Sequence, residues 1–212
     1  MTKAVKHMLK FTEKEIADNK KVLEKRLLVY KKQGLDFLKS REFILEKAAM
    51  SKRKVLDVGT GRGLTAICLA EVGHMVTSID VEEEMLRIAA LNIAYKDLSH
   101  KIYLNKMDGY SMSFNNESFG AVFMVEAVHH VDKIEVILEE INRVLISGCK
   151  IVLSDFNKRG MGIVDKVHRR EGHKHMNFST GPQKVRKWLN KKGYKVDNYN
   201  KNCHWVIVAE KK

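Results

Sequence analysis

One proline, three cysteines and no long apolar run are what this 212-residue chain lacks most visibly, and each scarcity excludes something. Cys68, Cys149 and Cys203 are odd in number, far apart and outside any Cys-x-x-Cys spacing. A disulfide framework and a structural zinc cluster are therefore excluded, and no metal is expected. No stretch reaches the roughly 18 consecutive apolar residues that a membrane span needs. Met1 to Lys10 is charged and leads into no apolar signal core, so a cytoplasmic protein without a membrane partner is expected. With so little proline and no Gly/Ser cluster, the sequence contains no linker and no repeat. A single domain over 1–212 follows, with 44% hydrophobic residues to fill its core.

Charge is abundant and unevenly placed. The chain carries +13 overall: +9 up to Lys54, −7 from Val55 to Asp155, and +11 beyond. Two basic ends flank an acidic middle. Such asymmetry suits an anionic partner, either a small acid or RNA, although lysines also simply solvate exposed helix faces.

Hydrophobic periodicity supplies the elements. Thr12-Glu13-Lys14-Glu15 matches a capping box, and Ile16, Val22, Leu23, Leu27 and Tyr30 continue at helical spacing, predicting a long basic helix to Lys32. Gly34 ends it, and Leu35 to Ala49 reads as a second amphipathic helix. Short apolar runs follow at Lys54 to Val58, Met75 to Ile79, Lys101 to Asn105, Ala121 to Val125 and Lys150 to Ser154. Segments of crossover length separate them, which predicts an α/β fold with a parallel sheet and helices on both faces. Thr180-Gly181-Pro182 starts a helix over Gln183 to Lys192, and Tyr194 to Tyr199 with His204 to Glu210 forms a terminal hairpin.

The sharpest local signal is Val55-Leu56-Asp57-Val58-Gly59-Thr60-Gly61-Arg62-Gly63, a buried strand that ends in Gly-x-Gly-x-Gly and enters the helix Leu64 to Val72. Glycines belong where a chain turns tightly and a ligand approaches its backbone. A dinucleotide fingerprint needs its third glycine at position 64, which is leucine, so the ligand has a nucleoside without a pyrophosphate. Asp80 ends the second strand about 20 residues on, where a carboxylate accepts from both ribose hydroxyls. It is equally placed to cap the helix after Glu82.

From Val55 to Asp155 the sequence resembles the class I S-adenosylmethionine-dependent methyltransferases, specifically the type 11 group. The resemblance implies a Rossmann-like, seven-stranded, mostly parallel sheet with an antiparallel last strand and an N-terminal helical extension. Residues 1–50 would form helices and a lid, 51–155 the cofactor-binding core, and 156–212 the acceptor side. It implies S-adenosyl-L-methionine as cofactor and S-adenosyl-L-homocysteine as product. Gly59, Thr60, Gly61 and Gly63 would line the amino-acid part, and Asp57 would support its ammonium through water. Asp80 would hold the ribose, Val81 would pack on the adenine, and Asp108 within Met107-Asp108-Gly109 would accept from the adenine amino group. Glu126 falls where family members touch the methionyl moiety. Asp57 as a satisfied buried carboxylate and Asp108 as a turn former are the alternatives.

His129 and His130 follow the fourth strand, at the carboxyl edge where open α/β sheets bind ligands, and are the candidate bases. His168, His173 and His175, with Cys203-His204, are expected at the same mouth. An Asn/Asp-Pro-Pro-aromatic element after the fourth strand is missing, as is a Cys-Pro nucleophile, which argues against methylation of a flipped nucleobase. A small-molecule acceptor leads, RNA or protein stands second, and a non-catalytic protein that binds the cofactor or its product is the third reading.

Overall fold

The computed structural model describes residues 11–51, 53–172 and 180–212. The first helix, α1 (Glu13–Lys32), starts at the capping box: Thr12 Oγ1 accepts from Glu15 N at 3.2 Å, and Glu15 Oε2 accepts from Thr12 N at 2.9 Å. It ends where Gly34 turns left-handed (φ 94°) and Leu35 N donates back to Tyr30 O. That bond removes Leu35 from the second helix, and its side chain is buried against Tyr30, Val164 and Val167. The second helix, α2 (Phe37–Ala48), starts later than expected, at an Asp36 cap whose carboxylate accepts from Lys39 N at 3.2 Å.

The sheet strands are β1 (Lys54–Val58), β2 (Met75–Asp80), β3 (Ile102–Lys106), β4 (Phe119–Val125), β5 (Leu145–Phe156), β6 (Lys195–Lys201) and β7 (His204–Glu210). Between them lie α3 (Leu64–Glu71), α4 (Glu83–Tyr95), α5 (Ile134–Val144), α6 (Lys158–Arg170) and α7 (Pro182–Lys191). Strand order is β3-β2-β1-β4-β5-β7-β6, with β7 antiparallel to both neighbours. The Rossmann-like architecture and the seven-stranded sheet expected from the sequence are thus present.

Helices cover both faces, and β4 shows why. All seven of its residues are buried: Phe119, Val122 and Met124 pack with α5 and α7, while Ala121, Phe123 and Val125 pack with α2, α3 and α4. β5 begins earlier than its apolar run, because Leu145 already pairs with Phe119. Exposed Ile146 and Ser147, with Gly148 at φ 73°, then interrupt the alternation in an irregularity of the ladder. Strand order reverses between β1 and β4, and the crevice opens there, at the carboxyl ends. α1 lies across this end, packed on α4 and α6. Asn19 Nδ2 donates to Asn92 Oδ1 at 2.6 Å, and Arg26 pairs with Glu171 at 3.2 Å. No helix among the described residues is long and apolar enough to cross a membrane.

Candidate active site

The Gly-rich turn runs from β1 to α3. Gly59 N and Thr60 N both donate to Ile79 O, at 2.9 and 3.0 Å, which fixes the turn against β2. Gly59 has φ 78°, and a Cβ there would come within 2.7 Å of Ala127 Cβ. Gly61 has φ 51°, and a Cβ on it would meet nothing within 4 Å, so its backbone faces open space. Gly63 caps α3 against Ala89.

Two carboxylates stand beside this turn. Asp80 Oδ2 accepts from Gly61 N at 2.8 Å and Oδ1 from Glu82 N at 3.0 Å, so Asp80 both secures the turn and covers the start of α4. Each oxygen keeps a second lone pair for a ligand. Asp57 is buried at the end of β1, accepting from Ser78 Oγ at 2.7 Å, and burial pushes its pKa up to about 6. Thr60 Oγ1 is buried beside the Asp57 carboxyl, whose ionised form it favours. Val81 is exposed beside Asp80. Met107 N donates to Asp80 O at 3.0 Å, Asp108 Oδ1 accepts from Tyr110 N at 2.9 Å, and Gly109 packs on Val58.

The titration of Asp57 has a sign that can be checked. Its pKa is raised on folding, so the protonated form is favoured and the ionised form costs stability above about pH 6. Replacing Asp57 by Asn should therefore stabilise the unliganded protein by up to about 3 kcal/mol at pH 8, the gain shrinking to nothing towards pH 4. Denaturant midpoints measured across that range test it, and a gain independent of pH would mean that Asp57 is not the titrating group.

Glu126 follows β4 in a left-handed conformation (φ 57°) that is unusual for a side-chain-bearing residue. Its carboxylate accepts from Arg41 Nη1 and Nη2 at 2.6 and 2.7 Å and from His204 Nε2 at 2.8 Å. Burial alone would raise its pKa, but Arg41 and His204 outweigh this and hold it at about 2. Glu126 is thus spoken for by two cations or donors from opposite ends of the chain. His204 is thus at the carboxyl edge where the terminal hairpin was expected to bring it, whereas Arg41, one basic residue among many on an amphipathic helix, carries no signal in the sequence.

The His-His pair occupies a short 3₁₀ turn, Val128–His130. Asp155, at the end of β5, accepts from His129 N at 2.7 Å and lies 2.7 and 2.9 Å from His129 Nδ1 through its two oxygens. His129 and Asp155 are both buried. Since the carboxylate only accepts, Nδ1 carries the proton and Nε2 is the basic nitrogen of the neutral ring. Asp155 escaped the sequence reading, although an acid at the carboxyl end of a buried strand was the available signal. The His130 ring lies against that of His129, centroids 3.9 Å apart.

These groups meet at a cavity of about 230 Å³. Its floor is Gly59 to Arg62 with Glu126, one wall is His129 and His130, and its roof comes from Leu23, Leu27 and Tyr30 of α1. Asp57, Gly63, Asp80, Val81, Met107, Asp108 and Gly109 are not among its walls, and Asp80 borders the turn through Gly61 N. His168 lines the cavity, but from α6 instead of a loop: Asn157 caps that helix by accepting from Gly160 N at 3.1 Å, and the helix runs on to Arg170. Cys203 is buried with its Sγ 3.5 Å from Gly34 O, and it is not a wall of the cavity. His173 and His175 lie outside the described residues. Among the described residues no group of three or more His, Cys, Asp and Glu side chains is placed to hold a metal ion. Arg143 braces the loop before β4, donating to Met112 O and Phe114 O at 2.7 and 2.6 Å.

Residues 56–153 match the methyltransferase domain family Methyltransf_11. The ubiquinone/menaquinone biosynthesis C-methyltransferase UbiE of Rhizobium rhizogenes is 28% identical over 118 residues, 54% of this chain and 46% of that protein. The 27-O-demethylrifamycin SV methyltransferase of Amycolatopsis mediterranei is 30% identical over 105 residues, 49% of this chain and 38% of that protein. The chain thus spans less than half the length of these relatives. Among solved structures, the PH0226 protein of Pyrococcus horikoshii superposes with a TM-score of 0.71 at 18% identity, covering 82% of this chain and 90% of that one. A SAM-dependent methyltransferase from Aquifex aeolicus gives 0.65 at 21%, covering 94% and 98%. The chain has the class I S-adenosylmethionine-dependent methyltransferase fold. Residues 56–153 resemble the type 11 methyltransferase domain, a similarity that implies S-adenosyl-L-methionine as cofactor.

Proposed function

We propose that this chain transfers a methyl group from S-adenosyl-L-methionine to a small-molecule acceptor, with His129 as the base and Asp155 as its positioning residue. The observation that carries the reading is the buried Asp155–His129 pair in the wall of a cavity floored by the Gly-rich turn. A protein that only stored the cofactor has no use for an oriented base at that place.

The residues present fit the cofactor. Gly61 leaves open space where a Cβ would stand, and Asp80 keeps lone pairs beside the turn. Gly59, Thr60, Gly61 and Gly63 would hold the amino-acid part, with Asp57 attracting its ammonium. Asp80 would hold the ribose, and Val81, Met107, Asp108 and Gly109 would border the adenine. When bound, the cofactor supplies an electrophilic methyl group on a sulfonium and leaves as S-adenosyl-L-homocysteine. Glu126, in the floor of the cavity, would border the methionyl part of the cofactor while it fixes Arg41 and His204.

The chain's own contribution is alignment, exclusion of water and one proton transfer. α1 and α2 roof the cavity and would act as the lid, over the cofactor core that runs from β1 to β5, with the segments after β5 on the acceptor side. His129 Nε2 accepts the acceptor's proton while Asp155 stabilises the imidazolium. His130, whose ring lies tilted against that of His129, is the second candidate for that role.

Replacing Asp80 by Ala removes charge-assisted hydrogen bonds and should weaken S-adenosyl-L-homocysteine binding by about 10- to 150-fold. Calorimetry giving an unchanged Kd would remove Asp80 from the site. An RNA acceptor is the second reading, favoured by the basic ends. It requires binding that falls steeply with salt, and a flat salt response rejects it.

A further inference from the structure

The cavity holds one charge that its walls do not match. Arg41 is paired with Glu126 and Arg26 with Glu171, at 2.6 and 3.2 Å. Arg62, in the Gly-rich turn, lines the same cavity, is half-buried, and has no side-chain hydrogen bond, ion pair or ring contact among the described residues. Burial first, and the nearby charge of Arg26 second, draw its pKa down from the usual arginine range; Tyr30 and Glu171, the latter already paired with Arg26, offset only part of this. A guanidinium remains charged all the same, and a half-buried one without a direct ion-pair partner is costly unless a ligand completes it. Its surroundings narrow the ligand further. Leu23, Leu27 and Phe156 offer apolar contact, and Tyr30, whose hydroxyl accepts from Arg26 Nη2 at 3.1 Å, keeps its own proton to donate.

We infer that Arg62 is the anion-recognising residue of the acceptor pocket and that the acceptor is a small, largely apolar molecule bearing a carboxylate. This rests on reading the cavity as the acceptor pocket of a methyltransferase. A carboxylate suits the site better than a phosphate. It matches a single guanidinium in charge and in planar, two-pronged geometry, whereas a dianion would bring one more negative charge than Arg62 can answer. The amino-acid end of the cofactor carries a carboxylate too, so the two sources must be separated by experiment.

The test uses the full chain saturated with S-adenosyl-L-homocysteine and titrated with matched acids and amides: benzoate and benzamide, phenylacetate and phenylacetamide, hexanoate and hexanamide. At least one acid is expected to bind about tenfold or more tightly than its amide. Arg62→Gln should abolish that preference while leaving the Kd for S-adenosyl-L-homocysteine within about threefold. Arg62→Lys, which keeps the charge and loses the fork, should retain part of it. The proposal is overturned if no acid in the panel is preferred, or if the preference survives in Arg62→Gln. It is overturned as well if that variant loses affinity for S-adenosyl-L-homocysteine by about tenfold or more while acid binding is unaffected, since the guanidinium then belongs to the cofactor's carboxylate. Failure of the wild-type chain to bind S-adenosyl-L-homocysteine at all would overturn the methyltransferase reading instead, and the same titrations on the cofactor-free protein would still decide the role of Arg62.

Discussion

Replacing Arg41 by Met should lower the unfolding free energy by about 3–5 kcal/mol, because it strips a buried carboxylate of its main counter-charge. Arg41 and Glu126 side chains are 5% and 12% exposed, and two short hydrogen bonds join them. Once Arg41 is gone, Glu126 keeps only His204 and still has to hold a left-handed backbone, which itself costs about 1–3 kcal/mol. The double variant Arg41→Met/Glu126→Gln should recover part of the loss, since no lone charge is then left inside. The pH dependence has a definite sign. Glu126 has its pKa depressed on folding, so the stability it contributes is present above its ordinary value of 4.5 and is lost as pH falls through about 2. The deficit of Arg41→Met should accordingly narrow over that window. Denaturant unfolding of the three proteins decides it: a single variant as stable as wild type would mean that the pair is energetically idle.

Replacing His129 by Ala should reduce methyl transfer by about 10²–10⁴-fold, the usual contribution of a positioned base. Asp155→Asn should cost a large part of the same factor, since an amide stabilises an imidazolium poorly and admits the wrong tautomer. Labelled cofactor incubated with a cell extract, followed by identification of the small molecule that gains the methyl group, supplies both the acceptor and the assay. In both variants the affinity for S-adenosyl-L-homocysteine should stay within about threefold, which separates loss of the base from loss of the cofactor site. Full turnover by His129→Ala would reduce His129 to a structural part, and a large loss in His130→Ala instead would move the base by one residue.

The elements that rest on local rules were legible from the residues. The capping box at Thr12, the runs that became β1 and β7, and the Gly-x-Gly-x-Gly turn each specify their own conformation within a few residues. Boundaries moved where a tertiary contact intervened: Leu35 left the second helix because it closes the turn after α1 and fills a buried gap. The candidate site divided along the same line. Asp80 and the glycines stand where their spacing put them, because strand ends position them. Asp155, Arg41 and Arg62 acquire meaning only through what they face, and periodicity carries no information about partners that are remote in sequence. Glu126 was found by resemblance and His204 by its place at the start of the last strand, yet that they meet, and that Arg41 joins them, is written in no motif.

The cluster around Glu126 also bears on the order in which the molecule assembles. Arg41 is 85 residues before Glu126 and His204 is 78 after it, so this knot ties together three distant parts of the chain. Such contacts reward folding only after long loops have closed, and they contribute little to the early, local stages of collapse. The Glu126 part of the cavity floor is therefore expected to be completed late in folding. An emerging polypeptide has its Gly-rich turn long before β7 delivers His204, and until then Glu126 is a carboxylate without its full complement of partners.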